Sequence, residues 1–185
     1  MPASSLLNAS PADVLGFWRD AGPSRWFRKD SAFDEQFRDR FLTAHEAALR
    51  GELDAWAGDA QGALALLILL DQFPRNAFRA TARMFESDAK ALEIARQAVR
   101  GGLDAQVEAG LRNFFYLPFT HSEQLADQDL GVDLARALGD EPLRYAIMHR
   151  DIIERFGRFP HRNAVLGRAT TPEEQRFLDD GGFAG

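Results

Sequence analysis

A helix formed from Ala60-Gln-Gly-Ala-Leu-Ala-Leu-Leu-Ile-Leu-Leu70 is apolar on every side. Such a helix has no face for water, and neighbouring elements bury it all round. The run is much shorter than the roughly 20 apolar residues that span a bilayer. It therefore predicts a central core helix with other helices packed around it.

Capping patterns on both sides of this stretch predict further helices. Ser10-Pro-Ala-Asp13 places an N-cap serine before a proline and an acidic first turn. Thr120-His-Ser-Glu123 and Thr171-Pro-Glu-Glu174 each match a capping box. No stretch shows the sustained alternation and β-branched enrichment of a strand. The sequence predicts an all-α protein with roughly eight or more helices joined by short loops.

Length and composition favour one all-helical domain over residues 1–185 and argue against several protein classes. The net charge of −6 is unlike the basic face of a nucleic-acid-binding domain. The chain has no cysteine, which excludes disulfides, zinc thiolates and a thiol nucleophile. Its first residues lack the basic and long apolar regions of a signal peptide. We expect a cytoplasmic protein with no nucleic-acid or membrane partner and no cofactor.

Two Phe-Pro segments resemble each other. Phe73-Pro-Arg-Asn-Ala77 matches Phe159-Pro-His-Arg-Asn-Ala164 when His161 is treated as an insertion. Because proline disfavours helical geometry in the residue before it, we expect a helix break at each Phe-Pro pair and a new first turn after it. The segments Leu70–Thr81 and His149–Thr170 are then expected to lie close together, related by an approximate two-fold. Alternatively, Phe-Pro is a helix connector that the chain uses twice.

Arginine is concentrated near both Phe-Pro segments. Residues 71–83 carry a net charge of +2 and residues 144–168 a net charge of +4, within a chain of net charge −6. Unpaired backbone N–H groups in a first helical turn, with arginine beside them, suit a carboxylate or a phosphate. The predicted site is a pocket for a small anionic ligand, lined by Arg75, Asn76, Arg79, His121, His149, Arg150, His161, Arg162 and Asn163.

Other interpretations of these residues stay open. Histidine titrates near neutrality and is the expected acid or base if the site is catalytic, which the sequence leaves undecided. Alternatively, the arginine and asparagine side chains bond to helix ends or pair with Asp71 and Asp151, and His149 is a core residue. His121, Glu123 and Asp127 match no metal-binding spacing, so no metal site is predicted.

Five motifs carry a resemblance to a known family; they are Phe17-Trp18, Trp26-Phe-Arg-Lys-Asp30, Leu70-Asp-Gln-Phe-Pro-Arg-Asn76, Tyr116-Leu-Pro-Phe-Thr-His-Ser-Glu123 and His149–Arg168. With them the sequence resembles the bacterial domain-of-unknown-function family nine-two-four, grouped with the tetratricopeptide-like helical superfamily. The resemblance implies a compact array of antiparallel helix pairs in a right-handed superhelix. It implies no established activity and therefore no catalytic residues. By analogy with helical repeats, a second hypothesis is a scaffold that binds a peptide or protein partner in an interhelical groove.

Overall fold

The structure is a computed structural model that describes residues 9–185, and within that range it contains helices and no strand. The all-α prediction is confirmed. None of the helices in this range is both long and apolar enough to cross a membrane. The α-helices are α1 Pro11–Ala21, α2 Pro23–Trp26, α3 Ser31–Leu49, α4 Ala60–Leu67, α5 Phe73–Ala77, α6 Asp88–Arg100, α7 Asn113–Thr120, α8 Leu125–Ala135, α9 Asp140–Phe156 and α10 Pro172–Asp179. Short 3-10 turns connect several of them, and a π turn, Ile68–Gln72, joins α4 to α5.

The described chain divides into two compact units. Unit 1 holds the described residues up to Arg79, together with Arg83–Pro118. Unit 2 holds Ala80–Ala82 and Phe119–Gly185. The single-domain organisation and the superhelical arrangement stay predictions.

Unit 1 is built around α4, as its sequence predicts. Every residue from Ala63 to Leu70 has no exposed surface. Helices α1 and α6 pack on α4, and α3 packs on the π turn and α5. The phenylalanines at helical spacing on α3 are buried and join Phe17 and Trp18 in one aromatic cluster. The central buried helix is therefore confirmed.

The helix does not break at Pro74, so this sequence prediction was wrong. Phe73 keeps helical dihedral angles of φ −53° and ψ −51°, and its N–H bonds to the carbonyl of Ile68, five residues back. Pro74 is the second residue of α5. A proline ring normally clashes with the carbonyl of the preceding turn, and the wider π turn relieves that clash. The helical path from α4 to α5 therefore continues through the proline.

Unit 2 contains the pair α8 and α9, which pack on each other. Ala146 of α9 lies with Val132 and Ala135 of α8 in one apolar cluster. A second cluster is formed by Ile152, Ile153 and Phe159, with partly buried Phe156, Phe177 and Phe183 packed against it. The left-handed Gly157, at φ 68°, ends α9 and turns the chain toward Phe159.

One predicted capping box is present in unit 2 and one is not. Thr171 and Glu174 form the reciprocal box that starts α10. By contrast, α7 runs through Thr120, and α8 begins only at Leu125 without a side-chain cap. The box at Thr120 was wrong because Glu123 is used elsewhere: its Oε1 accepts the backbone N–H of Phe159 at 2.8 Å.

Candidate functional site

The predicted site residues of unit 1 pair with internal carboxylates. Arg79 donates to both oxygens of Asp34 at 2.6 and 3.2 Å, and the Asn76 amide donates to the same carboxylate at 2.7 Å. Arg75 donates to both oxygens of Asp88 at 2.9 and 3.1 Å. Internal pairing is the alternative that the sequence left open, but of the partners named there only Asp71 is used in this unit, with a carboxylate oxygen 3.1 Å from Arg75 Nη1. Asp34 and Asp88 were not foreseen. The basic segment of unit 1 therefore already has anionic partners within the protein.

Unit 2 brings together three imidazoles, which we call the histidine cluster: His121, His149 and His161. The rings of His121 and His149 have centroids 6.4 Å apart. His149 and His161 both contact the ring of Phe159, at centroid distances of 5.5 and 5.6 Å. His121 follows α7, His149 lies on the inner face of α9, and His161 lies in the 3-10 turn after Phe159. Three histidines far apart in sequence thus meet at one place in unit 2.

His149 is a buried, neutral histidine. It is 2% exposed, and its Nδ1–H donates to the carbonyl of Tyr145 at 2.9 Å. This bond fixes the tautomer, so the lone pair of the neutral ring lies on Nε2. The pKa of His149 is lowered to about 3, chiefly by burial and also by electrostatic interaction with His121, His161 and Arg162, against the opposing effect of the Tyr145 hydrogen bond. At neutral pH the ring can accept a hydrogen bond but carries no charge.

His161 carries an unsatisfied ring nitrogen. Burial lowers its pKa to about 4, and the positive charge of Arg162 is the next cause, with Glu123 acting in the opposite direction. Its Nδ1 atom is buried and has no hydrogen-bond partner among residues 9–185. Leaving a buried polar group without a hydrogen bond costs about 1–3 kcal/mol of stability, and most buried polar groups in folded proteins therefore have a partner.

Arg162 and Asn163 occupy different sides of the same turn. The Arg162 guanidinium is buried, donates to the carbonyl of His121 at 2.9 Å and lies 4.5 Å from the centre of the Phe159 ring. Asn163 is fully buried and donates to Glu174 at 3.2 Å. Arg162 therefore lies at the histidine cluster, whereas Asn163 belongs to the network that holds α10 in place.

Arg150 lies outside the cluster. It is partly exposed on α9 and pairs with Asp129 at 3.1 Å, and with Glu154 at 2.5 Å. Exposed pairs of this kind contribute about 0–1 kcal/mol. Of the predicted site residues in unit 2, the structure therefore brings His121, His149, His161 and Arg162 together and leaves Arg150 on the surface.

Sequence reasoning missed two arginine–carboxylate pairs of unit 2. Arg168 donates to both oxygens of Glu123 at 2.7 and 3.0 Å, and Arg158 donates to both oxygens of Glu174 at 2.6 and 2.9 Å. The sequence predicted Glu123 and Glu174 only as capping residues. Because Arg168 is 45 residues from its partner, no local pattern could have found that pair.

Phe183 is the second residue that the sequence did not single out. Its ring lies 4.6 Å from His149 and 5.1 Å from His161, measured between ring centroids, and is edge-on to both. The chain continues over His161, since a Cβ atom at Gly185 would lie 3.1 Å from the Cδ2 atom of that histidine. The segment after α10 thus covers the histidine cluster.

Two further predictions concern these residues. No group of three or more histidine, aspartate or glutamate side chains in the described part of the chain is arranged to hold a metal ion. The predicted proximity of Leu70–Thr81 to His149–Thr170 concerns segments that fall mainly in different units, so it stays a prediction.

The comparisons with known proteins identify a family. A family model for a bacterial protein of unknown function (DUF924) matches residues 14–182. The solved structure of a protein of unknown function from Agrobacterium tumefaciens is similar, with 54% sequence identity and a TM-score of 0.91; the alignment covers 92% of this chain and 97% of that chain. A comparison with curated proteins finds no match. Because this family model matches most of the length of the chain, the chain belongs to the bacterial DUF924 family.

Proposed function

We propose that the protein binds a small anion, a carboxylate or a phosphate, at the histidine cluster of unit 2. The ligand would accept hydrogen bonds from the Nδ1–H of His161 and from the guanidinium of Arg162. This proposal keeps four residues of the predicted pocket, His121, His149, His161 and Arg162, and leaves out Arg150 and Asn163 of the same unit. It leaves out Arg75, Asn76 and Arg79, because internal carboxylates already occupy the positions where their ligand would bind.

The electrostatic environment of the cluster supports an anion. Burial is the largest cause that lowers the pKa of His149 and His161, and the positive charge of Arg162 lowers the pKa of both as well. Because the Arg162 guanidinium is always charged, it gives the cluster a positive field, and this field attracts an anion. Burial strengthens this attraction, since the effective dielectric constant inside a protein is lower than that of water.

The single observation that carries the proposal is the buried Nδ1 atom of His161, which has no partner within the described chain. A neutral imidazole can place its proton on either nitrogen, so Nδ1–H is available as a donor. An anion that accepts this hydrogen bond removes the cost of the unsatisfied group. A charge-assisted hydrogen bond is also stronger than a neutral one.

The test uses the four histidines of the chain as internal probes. We expect inorganic phosphate, added to protein with ¹⁵N-labelled histidine at pH 7, to shift the His161 ring signals in a saturable way. The ring signals of His121 and His149, which belong to the same cluster, should shift with the same dependence on phosphate concentration. His45 serves as the control, because it is buried in unit 1 and both ring nitrogens face acceptors there. Its signals should not move.

A matched variant locates the binding. His161→Phe keeps a planar ring but removes Nδ1, and phosphate should bind it at least about tenfold more weakly, a loss of about 1.4 kcal/mol. Sodium chloride at equal ionic strength controls for screening. Absence of saturable shifts, or equal shifts at His45, contradicts the proposal, as does unchanged affinity in the variant.

A second candidate is the binding of a protein or peptide partner, and the surface of unit 2 favours it. Six of the seven exposed large apolar side chains among the described residues lie in unit 2: Leu125, Leu130, Tyr145, Ile147, Met148 and Leu166. Five of them come from α8 and α9, which pack on each other. Exposed large apolar side chains that are concentrated in one part of a protein suit an interaction surface. Loss of a co-purifying native partner in an Ile147→Glu, Met148→Glu variant would support this candidate.

A further inference from the structure

The Phe183 ring occupies an aromatic slot. Besides His149 and His161, it faces Tyr145 at a centroid distance of 6.3 Å, edge-on. Its own backbone holds it weakly. Gly182 donates to the carbonyl of Phe177 at 2.9 Å, but no hydrogen bond joins Phe183, Ala184 or Gly185 to another described residue. Ring contacts therefore hold this residue in place.

We propose that this slot is the binding site for the ring of a small aromatic carboxylate, which displaces Phe183. The inference rests on the proposed function, because the carboxylate of the ligand would take the anion position at His161 Nδ1. Phe183 then acts as an internal substitute for the ligand ring in the unliganded protein.

The chemistry of the slot selects an aromatic ring. Edge-on aromatic pairs at centroid distances of 4.5–7 Å are favourable beyond the area that they bury, and the Phe183 contacts fall in this range. The imidazoles of His149 and His161 are neutral and contribute ring faces and edges to the slot. A ligand ring that replaces Phe183 recovers the same contacts. Its carboxylate adds a hydrogen bond that Phe183 cannot make.

Displacement makes the affinity depend on residue 183. Only the fraction of molecules with an open slot is competent to bind, so the apparent dissociation constant rises as the closed fraction grows. Phe183→Ala removes the competing ring, and we expect benzoate to bind this variant about tenfold more tightly than the wild type. Phe183→Leu keeps an apolar side chain in the slot and should remain close to the wild type.

A truncated phenylalanine also creates a cavity, and apolar cavities bind small rings whatever their origin. Phe177→Ala is the matched control: this residue packs in the same apolar cluster and touches Phe156 instead of the histidines. Benzoate affinity should be unchanged in that variant. Benzamide, which has the ring without the charge, should bind Phe183→Ala at least about tenfold more weakly than benzoate.

The outcomes separate this inference from the proposed function. If acetate and phosphate bind at His161 but benzoate binds Phe183→Ala no more tightly than acetate does, the aromatic slot is refuted and the anion site stands. Equal gains in Phe183→Ala and Phe177→Ala also refute it, because they indicate a generic cavity. If no anion binds either protein, both proposals fail.

One measurement needs no variant. In the wild-type protein, benzoate should displace the Phe183 ring, so the nuclear Overhauser contacts of Phe183 with His149 and His161 should be lost, whereas acetate should leave them in place. Contacts that persist at saturating benzoate would show that the ring binds elsewhere, and would overturn the inference even if Phe183→Ala failed to fold.

Discussion

The Nδ1 atom of His45 donates a hydrogen bond to the carbonyl oxygen of Leu69 at 2.8 Å, and the π turn makes this bond possible. In an α-helix that carbonyl would accept the N–H of Phe73, which instead bonds to Ile68. Side chains from elsewhere in unit 1 thus replace the missing helical bonds. The π turn thus depends both on Pro74 and on residues that are distant from it in sequence.

Ser87 provides the first test of this arrangement. Pro74 has no N–H to give to the carbonyl of Leu70, and the Ser87 hydroxyl donates to that oxygen at 2.5 Å. Ser87→Ala should leave a buried carbonyl unsatisfied and lower the free energy of unfolding by about 1–3 kcal/mol. Urea unfolding followed by circular dichroism measures the change. Ser24→Ala, at an exposed serine, is the control and should stay within about 0.5 kcal/mol of the wild type. Equal effects would contradict the role given to Ser87.

Asp34 provides a test of the internal pairing in unit 1. Its carboxylate accepts from Asn76 and, with both oxygens, from Arg79. Asp34→Asn keeps the shape but removes the charge and turns an NH₂ group toward these donors. We expect a loss of about 2–3 kcal/mol in unfolding free energy, since hydrogen bonds to charged groups are the stronger ones.

The control for Asp34 is Asp39→Asn. Asp39 also pairs with an arginine, Arg38, at 3.2 Å, but both side chains are largely exposed. Loss of this exposed ion pair should lower the unfolding free energy by less than about 1 kcal/mol. If phosphate stabilised the Asp34→Asn variant but not the wild type, Arg79 would be able to bind an external anion once its internal partner is removed. A loss for Asp34→Asn no larger than the control would contradict the buried network.

Local signals in the sequence predicted local structure. The serine and proline at the start of α1 and the box at Thr171 are read from four consecutive residues, and both are present. The box at Thr120, read in the same way, is absent because Glu123 bonds to the distant Phe159. The apolar run at α4 is buried as expected. The continuous helix at Pro74 could not be predicted in this way, because it depends on His45 and Ser87, which lie on other elements.

Partners of the site residues could not be predicted for the same reason. Asp34 and Arg79 are 45 residues apart, and so are Glu123 and Arg168. A charged residue in a sequence shows that a partner is needed but not which one the fold supplies. The segment His149–Arg168 could be recognised as rich in functional side chains. That Phe183 lies against it required the structure.

Glu174 makes the stability of the protein depend on acid. The hydrogen bonds from Arg158 and from the Thr171 backbone lower its pKa to about 2, against the effect of burial. A carboxylate with a lowered folded pKa contributes its full stability above the unfolded value near 4.5, and loses it as the pH falls toward 2. We expect a loss of at most about 3 kcal/mol across this window. Glu174→Gln should flatten the pH dependence of unfolding there, and an unchanged slope would contradict the assignment.

The histidine cluster should add an acid-sensitive range at higher pH. His149 and His161 have pKa values lowered to about 3 and about 4, whereas an unfolded histidine takes up its proton near 6.5. Because the unfolded chain binds these protons first, stability is complete above pH 6.5 and falls as the pH drops toward 4 and then 3. Between pH 6.5 and 5 Glu174 remains ionised in the folded protein. Over this range, protonation of each of the two imidazoles in the unfolded chain should lower the unfolding free energy by up to about 2 kcal/mol. His149→Phe keeps a buried ring without a titrating group, so we expect it to remove about half of the loss measured by urea unfolding at a series of pH values. A slope in the variant equal to that of the wild type would mean that His149 is protonated in the folded protein, and its buried, neutral state would then be wrong.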